Sequence, residues 1–364
     1  MPTMALPSAI RPGRFVTPVA SAIDRLAAVP LRGSARQRKR RVDSVTPARR
    51  LEILERTADA YAAAHPLEDV DRFFPVAPEA TTTVRERPAS GRWPVLAAKG
   101  FEVVDLTWPS VMPTFVDGPE IARRFAEAEE NRQGAARLFR RRRGSRRTGV
   151  VVLVHGYGGG RYAVEEQLWP VRWWLARGFD AALFTLPFHG VRRGATRFFT
   201  PDPRVTNETL RQAIIDARVL IARLRATGYD VIGAAGMSLG GYTVSLLGTI
   251  EPLSFLAPLI PLGSFADSAR DGGWLNGSPA DQREQYEACE RAYAVIDPFA
   301  RRPRVPSDHV LVMVGDGDRI TPPSQGERLA RHFDAPCQRF PGGHLLQAGR
   351  RSAFTALEAR LPSS

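Results

Sequence analysis

Apolar and polar positions fall into two regimes along the chain. From Val150 onward, short unbroken apolar runs alternate with stretches that repeat at helical spacing. Gly149-Val-Val-Val-Leu-Val154 is β-branched without a polar break, as expected of a strand covered on both faces, hence central and parallel. Runs at 180–186, 229–235, 255–262, 309–314 and 337–340 read as further strands. Between them the spacing predicts helices over 163–177, 206–227, 325–333 and 352–361, with Gly178 and Gly228 as stops. Strand and helix in alternation predict an α/β fold: a mostly parallel central sheet, helices on both faces and right-handed crossovers. In such sheets the reactive groups sit at the carboxyl ends of the strands.

The first half follows another rhythm. Phe101 to Trp108 alternates apolar and polar residues, as a half-buried edge strand should. A helix over 119–131 and a short strand over 135–139 follow. Arg140-Arg-Arg-Arg-Gly-Ser-Arg-Arg147 then reads as an exposed hairpin turn. Upstream, Leu51, Leu54, Ala58 and Tyr61 share one face of a helix over 47–64, with Thr46 as N-cap and Pro47 at the first helical position. Residues 75–94 read as a connection. The first 45 or so residues, rich in Pro, Arg and small side chains, are expected to be mobile.

These signals divide the chain into an N-terminal extension over 1–100, partly helical, and a core over 101–262 and 305–364. Residues 263–304 interrupt the alternation. They hold no strand signal and one helical stretch over 281–295, which predicts a cap inserted over the strand ends. Trp274, Leu275, Tyr286, Tyr293 and Phe299 give it more apolar bulk than an exposed loop carries. Some of that bulk should pack on the core or line a pocket.

Composition narrows the class. The 364 residues are 43% hydrophobic, enough for a sizeable core, and carry a formal net charge of +13. Lys39 and Lys99 are the only lysines, so the excess is arginine. A nucleic-acid binder would gather those arginines on one face with aromatics between them, and here they are scattered. Both Arg36-Gln-Arg-Lys-Arg-Arg41 and the 140–147 cluster read as solvated segments. Cys289 and Cys337 alone cannot make a multi-disulfide framework and fit a reducing compartment. No run approaches the roughly 18 apolar residues of a membrane helix, and the N-terminus makes a poor signal segment. The expectation is a cytoplasmic enzyme. No His/Asp/Glu spacing calls for a metal, and no cofactor is expected.

The chemistry centres on Gly236-Met-Ser-Leu-Gly-Gly241, set between a strand run and a helix. Gly-x-Ser-x-Gly there is a nucleophile elbow, with Ser238 raised above the sheet on a strained turn. A serine hydroxyl needs a base to take its proton. Of six histidines, His344 lies on a glycine-rich loop after the last strand, at the catalytic end. His65, His309 and His332 are misplaced for that task. The third member must orient the imidazole and stabilise its cation. Val314-Gly-Asp-Gly-Asp-Arg-Ile-Thr-Pro-Pro323 offers Asp316 and Asp318 after a strand. Asp318 is preferred because it sits deeper in the loop; Asp267 is a distant third.

The order Ser238, Asp318, His344, in the contexts Gly236–Gly241, Gly315–Pro323 and Pro341-Gly-Gly-His344, resembles the α/β-hydrolase superfamily over about 101–361. The resemblance implies an oxyanion hole from the amides of Leu239 and Tyr157, the latter with Gly158 as neighbour, and a structural role for His155. It implies a serine hydrolase acting on a small-molecule acyl substrate, by default a carboxylic ester. A peptidase or thioesterase would use the same triad, because fold and triad do not choose among them. A non-catalytic binding protein on this fold would normally have lost one of the three side chains.

Overall fold

A computed structural model describes residues 13–32, 44–65, 67–76, 83–89, 100–111, 113–142 and 149–362. Among them nine strands form one sheet: β1 (Arg85–Pro88), β2 (Phe101–Pro109), β3 (Gln133–Arg141), β4 (Gly149–Val154), β5 (Phe179–Thr185), β6 (Val231–Met237), β7 (Phe255–Leu259), β8 (Val312–Gly315) and β9 (Cys337–Phe340). The spatial order is β1-β2-β3-β5-β4-β6-β7-β8-β9. β1, β2, β3 and β5 pair antiparallel in turn; every pair from β5 across to β9 is parallel. β4 lies between β5 and β6, with Val154 opposite Gly236.

The unbroken apolar run in β4 feeds two cores. Val150, Val152 and Val154 join the cluster on one face, while Val151 and Leu153 join the other, as the period of two requires. On the second face lie Trp169, Trp174 and Phe354. Trp169 caps the C-terminus of α4 (Tyr162–Leu168), Trp174 lies in α5 (Val171–Ala176) and Phe354 in α11 (Arg350–Glu358), near the end of the chain. The sequence predicts one helix over 163–177; Pro170 ends α4 and caps α5, because its ring cannot continue the hydrogen-bond ladder.

The first face is closed by α6 (Pro203–Ala226) and α7 (Leu239–Gly248). α6 is capped by Asp202, which accepts from Arg204 N, and starts at Pro203. It is buried even along its polar face. Glu208 accepts from Tyr61 Oη at 3.0 Å and from Phe115 N at 3.1 Å. Asp216 accepts from Trp108 Nε1 at 3.1 Å and pairs with Arg192 at 2.8 Å. Each buried carboxylate is thus partnered, as burial demands.

Tyr61 and Trp108, which bond α6, belong to segments upstream of the parallel strands. α1 (Gly13–Arg32) and α2 (Pro47–Ala60) precede the sheet, and α3 (Pro119–Ala126) lies between β2 and β3. Thr46 caps α2 through Arg49 N. Over 13–32, α1 corrects the expectation that the first 45 or so residues are mobile: Ala20 and Asp24 in it are fully buried, and 1–12 and 33–43 lie outside the described residues. The cluster at 36–41 lies outside the described residues. β1 corrects the reading of 75–94 as a connection. Its pairing with β2 joins Arg140, which binds Glu86 and Glu102 and is buried. Arg140 therefore belongs to the sheet rather than to an exposed turn; positions 143–147 lie outside the described residues.

Between β7 and β8 stand α8 (Phe265–Asp271) and α9 (Pro279–Tyr293); α10 (Pro323–His332) follows β8. α9 opens with a capping box between Ser278 and Asp281. Its apolar side meets α2: Leu54 packs with Leu275, Ala288, Cys289 and Ala292. Among the described residues, no helix is long and apolar enough to cross a membrane.

Candidate active site

The carboxyl end of β6 turns into α7 at Ser238, whose backbone sits at φ 56° and ψ −116°. A non-glycine residue at such angles is strained, and the surroundings must enforce it. Ser238 N donates to Leu259 O at 3.1 Å, and Ser238 O accepts from Leu262 N at 3.1 Å. The turn is that tight only because its flanks lack side chains. A Cβ on Gly236 would lie 2.1 Å from Gly240 O, and one on Gly240 would lie 2.1 Å from Val154 O. Leu239 is the first residue of α7, so its amide belongs to the turn of N–H groups that has no partner within the helix.

The loop after β4 passes alongside. A Cβ on Gly156 would be 3.4 Å from Ser238 Cβ. His155 is buried, donates Nδ1–H to Gly156 O at 2.7 Å and accepts from Leu186 N at Nε2, 3.1 Å. Burial, with His189 nearby, pushes its pKa down to about 3. The ring is neutral and fully used in holding two loops. Glu165 accepts from Gly160 N at 2.8 Å and steadies the same loop. Tyr157 is half exposed; its ring lies 5.5 Å from that of His189 and 5.2 Å from that of Phe199. From there aromatic contacts run on to Phe265 (5.9 Å) and then Tyr293 (4.9 Å) in the 263–304 segment.

Asp318 and His344 come from the loops after β8 and β9. Asp318 is fully buried, and its Oδ2 accepts from His344 Nδ1 at 2.8 Å. Its other oxygen accepts from Ile320 N and Thr321 N, both at 2.8 Å. Thr321 Oγ1 lies 3.0 Å from Asp318 Oδ2 and 3.0 Å from His344 Nδ1, and donates to Ile260 O at 3.0 Å. That hydroxyl ties the acid loop to the end of β7, beside the serine turn. Gln347 Nε2 reaches both His344 O at 3.1 Å and Met237 Sδ at 3.7 Å, which draws the histidine loop to the residue before Ser238. A neutral imidazole whose Nδ1–H donates a hydrogen bond to a carboxylate keeps Nε2 as an acceptor.

Asp316 does not share this environment. It pairs with Arg339 on β9 at 2.7 Å and is partly exposed. Asp267 is taken by Arg328 at 2.6 Å and by Tyr286 Oη at 3.0 Å. Among the described residues, no three His, Cys, Asp or Glu side chains gather closely enough to hold a metal ion.

No protein-family model matches the chain. Two uncharacterized proteins of Mycobacterium tuberculosis, from strains CDC 1551 / Oshkosh and ATCC 25618 / H37Rv, are each 29% identical to it over 209 residues. The match takes in 53% of this chain and 49% of theirs, so the chain spans about half the length of the curated relatives it matches. Among solved structures, acetyl xylan esterase 1 from Thermoanaerobacterium sp. JW/SL YS485 superposes with a TM-score of 0.53 at 16% identity, covering 81% of this chain and 94% of that one. The acetyl xylan esterase from Paenibacillus sp. R4 gives 0.51 at 15% identity, covering 82% and 100%. The chain has the α/β-hydrolase fold.

On that hydrolase fold, Thr321 is a site neighbour that the sequence does not disclose. Threonine directly before a proline pair looks like loop punctuation, and only the turn around Asp318 aims its hydroxyl at His344. The covering of the histidine loop by α1 is equally hidden, because the contact is made by polar side chains.

Proposed function

We propose that this chain is a serine hydrolase that cleaves a carboxylic ester, or a related acyl compound, through an acyl-enzyme on Ser238. The observation that carries the reading is the 2.8 Å bond from His344 Nδ1 to the buried Asp318, on loops drawn to a serine held at φ 56°. Ser238 Oγ attacks the acyl carbon and its proton passes to His344 Nε2. The oxyanion is held by the amides of Leu239 and Tyr157, where preorganised donors act on developing charge. The carbon–oxygen bond to the leaving alcohol breaks, and the imidazolium protonates that oxygen. Water, deprotonated by the same ring, then releases the carboxylic acid and restores the serine. Asp318 holds the tautomer and stabilises the cation.

Two acetyl xylan esterases share the fold, which is compatible with ester cleavage; the fold does not choose among ester, peptide and thioester cleavage. The cytoplasm is the proposed setting, in keeping with Cys289 and Cys337 both being free thiols. The test is a panel of p-nitrophenyl esters of rising chain length, with aminoacyl and thioester analogues alongside. Turnover of thioester or aminoacyl analogues well above the esters would move the reading to thioesterase or peptidase. No turnover of any, with no labelling by a fluorophosphonate, would leave a non-catalytic binding protein.

The 263–304 segment is proposed as a cap that bears on acyl choice, and its residues divide by neighbour. Leu275 and Tyr286 pack toward α2 in the satellite cluster, whereas Phe265 continues the aromatic row from Tyr157 and Phe199. Phe265→Ala and Phe199→Ala should therefore reorder the ranking of ester chain lengths. Tyr286→Ala should scale all esters alike. Specificity constants for the panel decide; uniform scaling in all three variants would make the segment a stability element only.

A further inference from the structure

Helix α1 meets the loops carrying Asp318 and His344 with a small, polar face. Thr17, Ala20, Ser21 and Asp24 recur at helical spacing and share one side. Thr17 Oγ1 donates to Pro341 O and Ser21 Oγ to Gly317 O, each at 2.9 Å. Asp24 is fully buried and collects three backbone amides. Its Oδ2 accepts from His344 N at 2.6 Å and Arg319 N at 3.2 Å; its Oδ1 accepts from Leu345 N at 3.0 Å. One carboxylate thus bonds the backbone of His344 and that of the residue after Asp318. The fit is close: a Cβ on Gly343 would fall 2.6 Å from Asp24 Oδ2, and one on Gly317 would fall 2.9 Å from Thr17 O.

We infer that Asp24 is a positioning residue for His344, setting the backbone of the base against the loop of its acid. The inference rests on the Ser238–His344–Asp318 reading above. His344 follows two glycines, whose backbone freedom would otherwise pass to the ring. An ionised carboxylate is the side chain that can accept from three converging N–H groups, and such bonds are about twice as strong as neutral ones. An asparagine offers one acceptor oxygen and turns an NH₂ toward an amide that is itself a donor. Even this isosteric change breaks the arrangement.

The test compares Asp24→Asn and Asp24→Ala with the wild type, in the full chain, on p-nitrophenyl acetate. It also measures the rate of phosphonylation by a small fluorophosphonate, with circular dichroism and melting as folding controls. The expected result is a fall in kcat of about 10–100-fold, since misplacement by about 1 Å can cost 10²-fold. Phosphonylation should slow by a similar factor, with KM changed less than about threefold. In a His344→Ala background, Asp24→Asn should leave the residual rate where it was, because residues that act through one another are not additive. Wild-type kcat in a folded Asp24→Ala variant would overturn the inference. So would an equal fold-loss with and without His344, or failure of both variants to fold, which would make Asp24 a folding determinant instead. Failure of the underlying reading looks different: His344→Ala alone would then keep the wild-type rate.

Discussion

Replacing Ser238 by alanine should remove ester hydrolysis, by about 10⁴-fold or more, while leaving the fold intact. The side chain is the proposed nucleophile, and no base can make one from a methyl group. The backbone at this residue is held by the bonds to Leu259 and Leu262, which alanine keeps. A fluorophosphonate should label the wild type at Ser238 and leave the alanine variant unmarked; labelling that persists in the variant would remove Ser238 from the mechanism. Ser238→Gly separates catalysis from strain. A non-glycine residue in so sparsely populated a conformation costs on the order of 1–3 kcal/mol, and glycine returns roughly 0.5–1 kcal/mol of that as extra chain entropy. The glycine variant should therefore be as inactive as the alanine one and unfold at a higher temperature. A glycine variant that melts below the alanine one, by the roughly 0.5–1 kcal/mol that its extra chain entropy costs, would mean that the turn stores no strain.

The second large effect separates the two acids. Asp318→Asn should lower kcat by about 10⁴-fold, because an amide in place of the buried carboxylate favours the wrong imidazole tautomer and leaves the cation uncompensated. Asp316→Asn should change kcat less than about threefold. Its carboxylate spends itself on Arg339 at the surface, where such a pair is worth about 0–1 kcal/mol. Steady-state kinetics of the two variants decide between them. An inactive Asp316→Asn beside an active Asp318→Asn would reverse the roles.

What the chain discloses before its structure is known depends on how each element is buried. β4, β6 and β7 are covered on both faces, so their sequences are apolar throughout and stand out. The serine turn stands out because sterics demand glycine at both flanks. Asp316 and Asp318 lie two residues apart in one loop, and their order alone cannot say which faces the histidine; the bonds from Ile320 and Thr321 turn Asp318 inward. β1 carries no pattern, since Arg85-Glu-Arg-Pro88 is exposed along its length and exists by pairing with β2. α1 misleads in the opposite sense. Its docking face is Thr17, Ala20, Ser21 and Asp24, while Val19 and Ile23 face outward. A search for apolar stripes therefore selects the wrong side of the helix. The arginines mislead as well. Arg140, within a cluster that reads as solvated, is buried against Glu86 and Glu102, and Arg137 and Arg192 are buried against carboxylates too.

The contact between Asp24 and His344 joins positions 320 residues apart. Synthesis runs at about 5–20 residues per second, so α1 leaves the ribosome roughly 15–60 s before the loop it grips. During that interval Ser238 and its sheet can form, but the histidine loop and the clamp on it cannot. A contact of such sequence separation also closes slowly, because the loop entropy is spent before the bond is made. Assembly of the base and acid loops against α1 should therefore be a late step in folding, and a nascent or truncated chain should carry its serine turn without a working site.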